Sequence, residues 1–278
     1  KQKTAYEIRN CDWSSDVCSS DLTSASGMLA QQRMIDVIAN NLANVNTTGF
    51  KRSRVSFEDV LYETVREARI ADAQSKETLA PVQIGKGVRI SGVMRMDGQG
   101  SAETTGRPLD LSIEGDGLFQ VQRSDGTLAY TRDGNFTLDA SGALVTSSGY
   151  HVMPGITIPA EASDIAIAPN GTVSARLPGQ STPTEIGRLE LARFLNPSGL
   201  SAIGENQYVA TEASGEPVTG LANEDGFGRI IQGTLESSNV EMVQEMTDMI
   251  AAQRAYEINS KAVRTAEEMM QQSNDLLR

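Results

Sequence analysis

Two sevenfold apolar series, one near each end of the chain, set the strongest limit on what it can fold into. Near the start, Met28, Ile35 and Leu42 repeat every seven residues, and Gln31, Ile38 and Val45 form a second series three residues later. This is the a/d spacing of a helix that buries a narrow stripe against another helix. From Ser237 to Leu277 the chain has neither proline nor glycine and is rich in Met, Ala, Glu, Gln and Arg, all good helix formers. Met249, Ala252, Tyr256, Val263, Ala266, Met270 and Leu277 keep the same spacing there, with Asn259 interrupting the apolar series. Val243, Met246 and Ile250 add a second stripe, and a helix with two apolar stripes needs more than one neighbour. At about 1.5 Å per residue such a helix would reach about 60 Å, too long for a small core. The pattern therefore predicts terminal helices that meet other copies of the chain in a coiled-coil-like α domain.

Between the ends the periodicity changes. Residues 84–235 carry turn dipeptides at short intervals: Asp97-Gly98, Asp116-Gly117, Asp125-Gly126, Asp133-Gly134, Ser141-Gly142 and Ser148-Gly149. Alternating stretches flank them, as successive β-hairpins require. The predicted class is α+β, with terminal helices and a β-rich middle domain of hairpins. Five segments follow: 1–22, 23–50 as the N-terminal helix, 51–83, 84–235 as the β-rich domain, and 236–278 as the C-terminal helix. Residues 51–83 are charged around a short apolar core, FEDVLYETV, and both a third helix and an extended arm lying on a neighbour are open readings.

The opening 22 residues stand apart. KQKTAYEIRNCDWSSDVCSSDL resembles the in-frame translation of a short-read sequencing adapter and is set aside from fold reasoning. It holds both cysteines, Cys11 and Cys18, and the single tryptophan, Trp13, so the chain from Thr23 onward has no thiol. A C-x6-C pair without a second pair or a nearby histidine makes neither a disulfide framework nor a zinc site. The whole chain has a formal charge of −12, and the segment contributes three basic and four acidic residues, leaving −11. An acidic balance of this size disfavours nucleic acid and anionic membrane surfaces as partners. The sequence contains no run of 18 apolar residues that could span a membrane, and no cleavable signal peptide is visible.

Catalytic chemistry finds little to build on. The one histidine, His151, has no cysteine partner and no serine elbow. Gly85 and Gly87 form a G-x-G without a third glycine in place or an opening helix, which excludes a dinucleotide fingerprint. The run DGTLAYTRDGNFTLDASG lacks the ligand spacing of a calcium loop. No catalytic, cofactor-binding or metal-binding residue is predicted, and no small-molecule substrate.

One stretch carries a resemblance. MIDVIANNLANVNTTGFKRSRVSFEDVLYETV, from Met34 to Val65, resembles the opening signature of the flagellar rod, hook and hook-basal-body family. Its core, Ala39, Asn40, Asn41, Leu42, Asn44, Thr48, Gly49, Phe50 and Lys51, stands within ANNLANVNTTGFK. The stretch from Leu235 to Met270 is similar to the closing signature, with Gln253, Arg254, Ala255, Tyr256, Asn259, Ser260 and Lys261 at its centre. LDLSIEGDGLFQV and AYTRDGNFTLDASGALVTSSGY look like the family's β-domain motifs, so the likeness covers residues 24–277. The extension after Lys51 looks like that of distal rod members, while the family's usual first few residues are replaced by the adapter-like segment.

The resemblance implies a structural subunit of the flagellar distal rod, polymerising into the hollow drive shaft that passes torque from motor to hook; the alternatives are another flagellar axial protein, proximal rod or hook, and, from a different class, a secreted β-domain carbohydrate-active protein. It implies an inner layer of terminal helices, an outer β layer, and export through the flagellar type III apparatus without cleavage. The implied partners are further copies of the chain, the proximal rod and hook proteins, the surrounding ring proteins and the export apparatus. The implied location is the basal body, in a rod that spans the periplasm. Gln31 and Asn259 would then set register in the helical seams, as buried polar a/d residues do.

Overall fold

A computed structural model of the chain describes residues 5–66, 69–70, 78–79, 81–162, 164–178 and 182–276. It is α+β, with a helix near each end and strands between them. The chain divides into two compact units, one made of residues 1–40, 53–94 and 243–278, the other of residues 41–52 and 95–242.

Helix α1 runs Ala5–Ala43 and helix α2 runs Met242–Leu276, with residues 5–40 and 243–276 of them in the first unit. Helix α1 thus begins before Thr23 and stops short of residue 50. Asparagine ends it: Asn44 N–H and Val45 N–H bond back to Asn41 O and Leu42 O at 3.1 and 3.3 Å, and Asn44 Oδ1 accepts Thr47 Oγ1 at 3.1 Å. Short polar side chains that bond to nearby groups in this way compete with the helical ladder. Val45, predicted as a seam residue, lies in the turn beyond the helix. Leu277 and the side chains of Cys11, Trp13 and Cys18 lie outside what is described.

The 51–83 segment is extended where it is described. Ser53–Asp59 pairs with Val88–Arg95, Tyr62–Arg66 with Val82–Gly85, and Arg69–Ile70 with Thr78–Leu79, nested as one two-stranded hairpin. Phe57, Leu61, Tyr62 and Ile84 stand exposed along it, Leu61 at 85 %. The hairpin base meets α1 at Gly87. Ser26 Oγ accepts Val88 N–H at 3.3 Å, and a Cβ at Gly87 would lie 2.3 Å from that oxygen, so the G-x-G glycine is an opening for α1.

The second unit is built on one antiparallel sheet. Its strands run in the order Phe136–Leu138, Leu144–Thr146, His151–Val152, Leu118–Gln122, Leu128–Thr131, Gln207–Val209 and Ser201–Gly204, with Glu190–Arg193 joined to Leu118–Gln122 and Val218–Leu221 joined in turn to Glu190–Arg193. Three of the six turn dipeptides close true hairpins: Asp125-Gly126, Ser141-Gly142 and Ser148-Gly149. The glycines there have φ of 82, 80 and 85°, a region open to glycine at little cost. Asp97-Gly98, Asp116-Gly117 and Asp133-Gly134 do not close hairpins, correcting the simple series of hairpins. Leu111–Glu114, for example, pairs with Arg229–Gln232, far along the chain. Its Leu111, Ser112 and Ile113 are all buried, so the expected alternation is lost. The main core gathers Leu111, Ile113, Phe119, Phe136, Leu191 and Ile230, with the Phe119 and Phe136 rings edge to face at 5.0 Å.

Candidate functional site

The three dipeptides that make no hairpin gather around a buried ionic clasp in the second unit. Glu236, at the end of Thr234–Glu236, is 1 % exposed. Its Oε1 accepts Lys51 Nζ at 2.5 Å and Gly100 N–H at 3.0 Å, and its Oε2 accepts Arg132 Nε at 2.5 Å. Lys51 Nζ also donates to Gly98 O at 2.8 Å. The Arg132 guanidinium donates to Ile113 O at 2.7 Å, Gly115 O at 2.8 Å and Gly117 O. Every charge in the clasp therefore has several partners, which a buried charge requires.

Burial pushes the Glu236 carboxyl up. The Arg132 charge and the hydrogen bonds from Lys51, Arg132 and Gly100 outweigh it and hold the group below the usual carboxylate range. Burial pushes the Lys51 ammonium down, against the hydrogen bond and charge of Glu236. Asp133, next along the chain from Arg132, is raised by burial.

Glycines let the backbones reach the clasp. Gly49 has φ of +67°, donates to Glu236 O at 2.8 Å, and a Cβ there would sit 2.8 Å from the Arg132 carbonyl carbon. A Cβ at Gly134 would lie 1.6 Å from Leu111 O. Asn239 ties two loop segments together, accepting Arg52 N–H at 2.7 Å and donating to Met96 O and Gly98 O at 2.9 Å each. Asn206 donates to Thr48 O at 3.3 Å.

The clasp explains part of the opening signature and leaves part to the helices. Gly49 and Lys51 are buried in it, Thr48 and Phe50 are half-buried beside it, and Asn44 shapes the turn that leads there. Asn41 is buried, Leu42 is half-buried, and Ala39 and Asn40 are exposed. In the closing signature, Gln253, Arg254 and Lys261 are exposed, while Ala255, Asn259 and Ser260 are half-buried. Arg132, Asn206, Glu236 and Asn239 were not singled out from the sequence. Arg132 and Glu236 do fall inside the β-domain and closing motifs, but pairing across 104 and 185 residues leaves no local trace.

The predicted seams sort by exposure. Ile38, Ala252 and Ala266 are buried, and Met28, Gln31, Ile35, Met249 and Val263 are half-buried. Tyr256 and Met270 are exposed at 40 % and 37 %. The second stripe of α2 is uncovered, with Val243 79 %, Met246 50 % and Ile250 58 % exposed, and Ile258 further along at 65 %. The helices touch where Gly27 faces Asn259: a Cβ on Gly27 would lie 2.8 Å from Asn259 Nδ2. His151 is exposed in a strand paired to Val145 and Gln122.

Three family models match the chain. Residues 22–51 match the flagella basal body rod protein family, residues 112–175 the flagellar hook protein FlgE/F/G D1 domain, and residues 231–276 the flagellar basal body rod FlgEFG protein C-terminal family. Lys51, Arg132 and Glu236 fall one in each. Among individual relatives, the flagellar basal-body rod protein FlgG of Borreliella burgdorferi is 47 % identical over 260 residues, covering 92 % of this chain and 97 % of the relative. FlgG of Caulobacter vibrioides is 46 % identical over 256 residues, covering 91 % and 97 %. FlgG of Bacillus subtilis is 41 % identical over 258 residues, with the same coverage. With identity at this level along nearly the whole length of each relative, the chain belongs to the flagellar basal-body rod protein family.

Proposed function

We propose that α1 and α2 pack against the helices of neighbouring copies, in coiled-coil fashion, as the inner layer of a hollow shaft that carries torque from motor to hook. The chain is a structural subunit of the flagellar distal rod, in the basal body, and assembles there with other axial proteins of the flagellum. The observation that carries the helical reading is the sorting of α2 into a covered stripe and an uncovered one. Fully burying a Val, Ile or Met side chain is worth about 1.5–3 kcal/mol. Covering the uncovered stripe therefore contributes several kcal/mol toward association, set against the cost of ordering the partners. The exposed apolar side chains of the 53–94 hairpin suit it to lie on a neighbour in the same way.

In this reading the partners are further copies of the chain, the proximal rod and hook proteins, the surrounding rings and the export apparatus. The role is mechanical and the chain is not an enzyme. The seam residues Met28, Ile35, Ile38 and Leu42 on α1, and Met249, Ala252, Val263 and Ala266 on α2, act by packing.

Electron microscopy of basal bodies from a strain lacking this gene tests the assignment, with complementation from Thr23 onward behind a restored start. The expected result is a rod that stops short and bears no hook, restored on complementation. A complete rod lacking only its hook would overturn the distal-rod role.

A further inference from the structure

A cleft of about 440 Å³ opens in the β-rich unit beside the clasp, and Lys51, Arg95, Arg132, Arg193, Asp97 and Asp116 are among the residues that line it. Four cationic side chains thus meet two carboxylates, and Glu236 behind them makes a third. The site stays net positive in a chain whose formal charge is −12. Glu236 holds Lys51 and Arg132. Arg95 donates to Asp97 Oδ1 and Pro197 O at 2.6 Å each, and its guanidinium lies 4.1 Å over the Tyr208 ring. Arg193 differs. It makes one long hydrogen bond, from Nη1 to Gly226 O at 3.3 Å, lies 5.4 Å over the Phe227 ring, and has no ion pair among the described residues.

Leu195, two residues on, also lines the cleft and is 98 % exposed. Val218, the strand partner of Arg193, is 56 % exposed. A single exposed leucine is ordinary on a protein surface. Set beside a guanidinium without a counter-charge at the lip of a cleft, it is an apolar anchor next to a charge, the pairing that interface centres favour.

We propose that this cleft receives a carboxylate-bearing loop from the β-rich unit of a second copy of the chain, with Arg193 pairing the carboxylate and Leu195 packing over it. Charge complementarity selects the occupant. The chain is strongly acidic and presents Glu161, Glu212 and Glu216 on exposed loops, so another copy can bring a carboxylate to a cleft whose own charges sum to a net positive value. The contact joins two different surfaces, and a heterologous contact propagates into an open helical array unless its rotation closes a ring. The inference rests on the polymer reading above and adds to it an interface between β-rich units.

Cross-linking in assembled basal bodies tests it. In the full chain, expressed in a flagellated bacterium in place of its own rod subunit, Leu195 and separately Ile250 are replaced by a photo-crosslinking phenylalanine. Both positions are expected to yield cross-linked dimers, with mass spectrometry placing the Leu195 adduct on an acidic loop of the β-rich unit. Arg193→Glu is expected to lower the Leu195 adduct roughly tenfold, through loss of a charge-assisted contact. Circular dichroism and the Ile250 adduct are expected to stay unchanged in that variant. Dimers from Ile250 with none from Leu195 would overturn the cleft proposal and leave the helical polymer standing. An adduct from Leu195 to another protein, to a terminal helix, or undiminished by Arg193→Glu would overturn it too. Dimers from neither position would instead defeat the polymer reading itself.

Discussion

Glu236 occupies the last strand before α2, where one carboxylate answers a lysine from the opening signature and an arginine from the β-domain motif. A buried ion cluster of this kind adds little net stability over an apolar one, but removing a single member leaves charge without a counter-charge and costs about 3–5 kcal/mol. Glu236→Gln strands two cations at once, so urea unfolding should show a loss in that range. A loss below about 1 kcal/mol, the worth of an exposed pair, would mean that the clasp is held by its carbonyls alone. The pH dependence follows from the depressed carboxyl. Its stabilisation is fully present above the ordinary glutamate value of 4.5 and is lost as pH falls through the lower folded value. The Glu236→Gln variant, which has no carboxyl to titrate at this position, should therefore have a flatter acid limb than the wild type.

At the scale of elements, α2 has one covered apolar stripe and one uncovered one, to which the proposed reading gives separate jobs. Ala252, Ala266 and Val263 lie on its covered face, and Val243, Met246 and Ile250 on its open one. Asp at a covered position must lose its hydration without a partner. Val263→Asp and Ile38→Asp should therefore abolish polymerisation and weaken the helices, with the β-rich unit still folded by circular dichroism. Ile250→Asp should leave the monomer's unfolding curve unchanged and stop assembly alone. Loss of β structure along with assembly in any of the three would defeat this division. The turn dipeptides split in a comparable way. Asp125-Gly126, Ser141-Gly142 and Ser148-Gly149 reverse the chain locally, whereas Gly98 and Gly117 offer carbonyls to the clasp and Gly134 admits Leu111. A dipeptide marks a place where the chain can turn, and the partners on each side determine whether it forms a hairpin.

For the whole molecule, the balance of covered and uncovered apolar surface is what suits it to a polymer. Helix α2 has 35 residues, about 52 Å at 1.5 Å per residue, and one of its stripes is uncovered. A helix whose stripe is only partly buried draws little stability from propensity alone. In dilute monomer, limited proteolysis should cut α1 and α2 before the β-rich unit, and polymerisation should protect them. Helices resistant in the monomer would show that they need no neighbour.

The sequence by itself determined the α+β class, the two terminal helices, the family and hence the axial role. Those signals are periodic or local: heptads, glycine turns, and a signature read residue by residue. It left open the form of residues 51–83, because a charged segment with few apolar positions satisfies a helix and a hairpin about equally until its strands find each other. It also assigned Val45 to a helix that asparagine turns end at Ala43. Only the tertiary structure brought Lys51, Arg132 and Glu236 together. An ionic contact depends on distance in space, and chain positions separated by 104 and 185 residues carry no periodicity that could announce it.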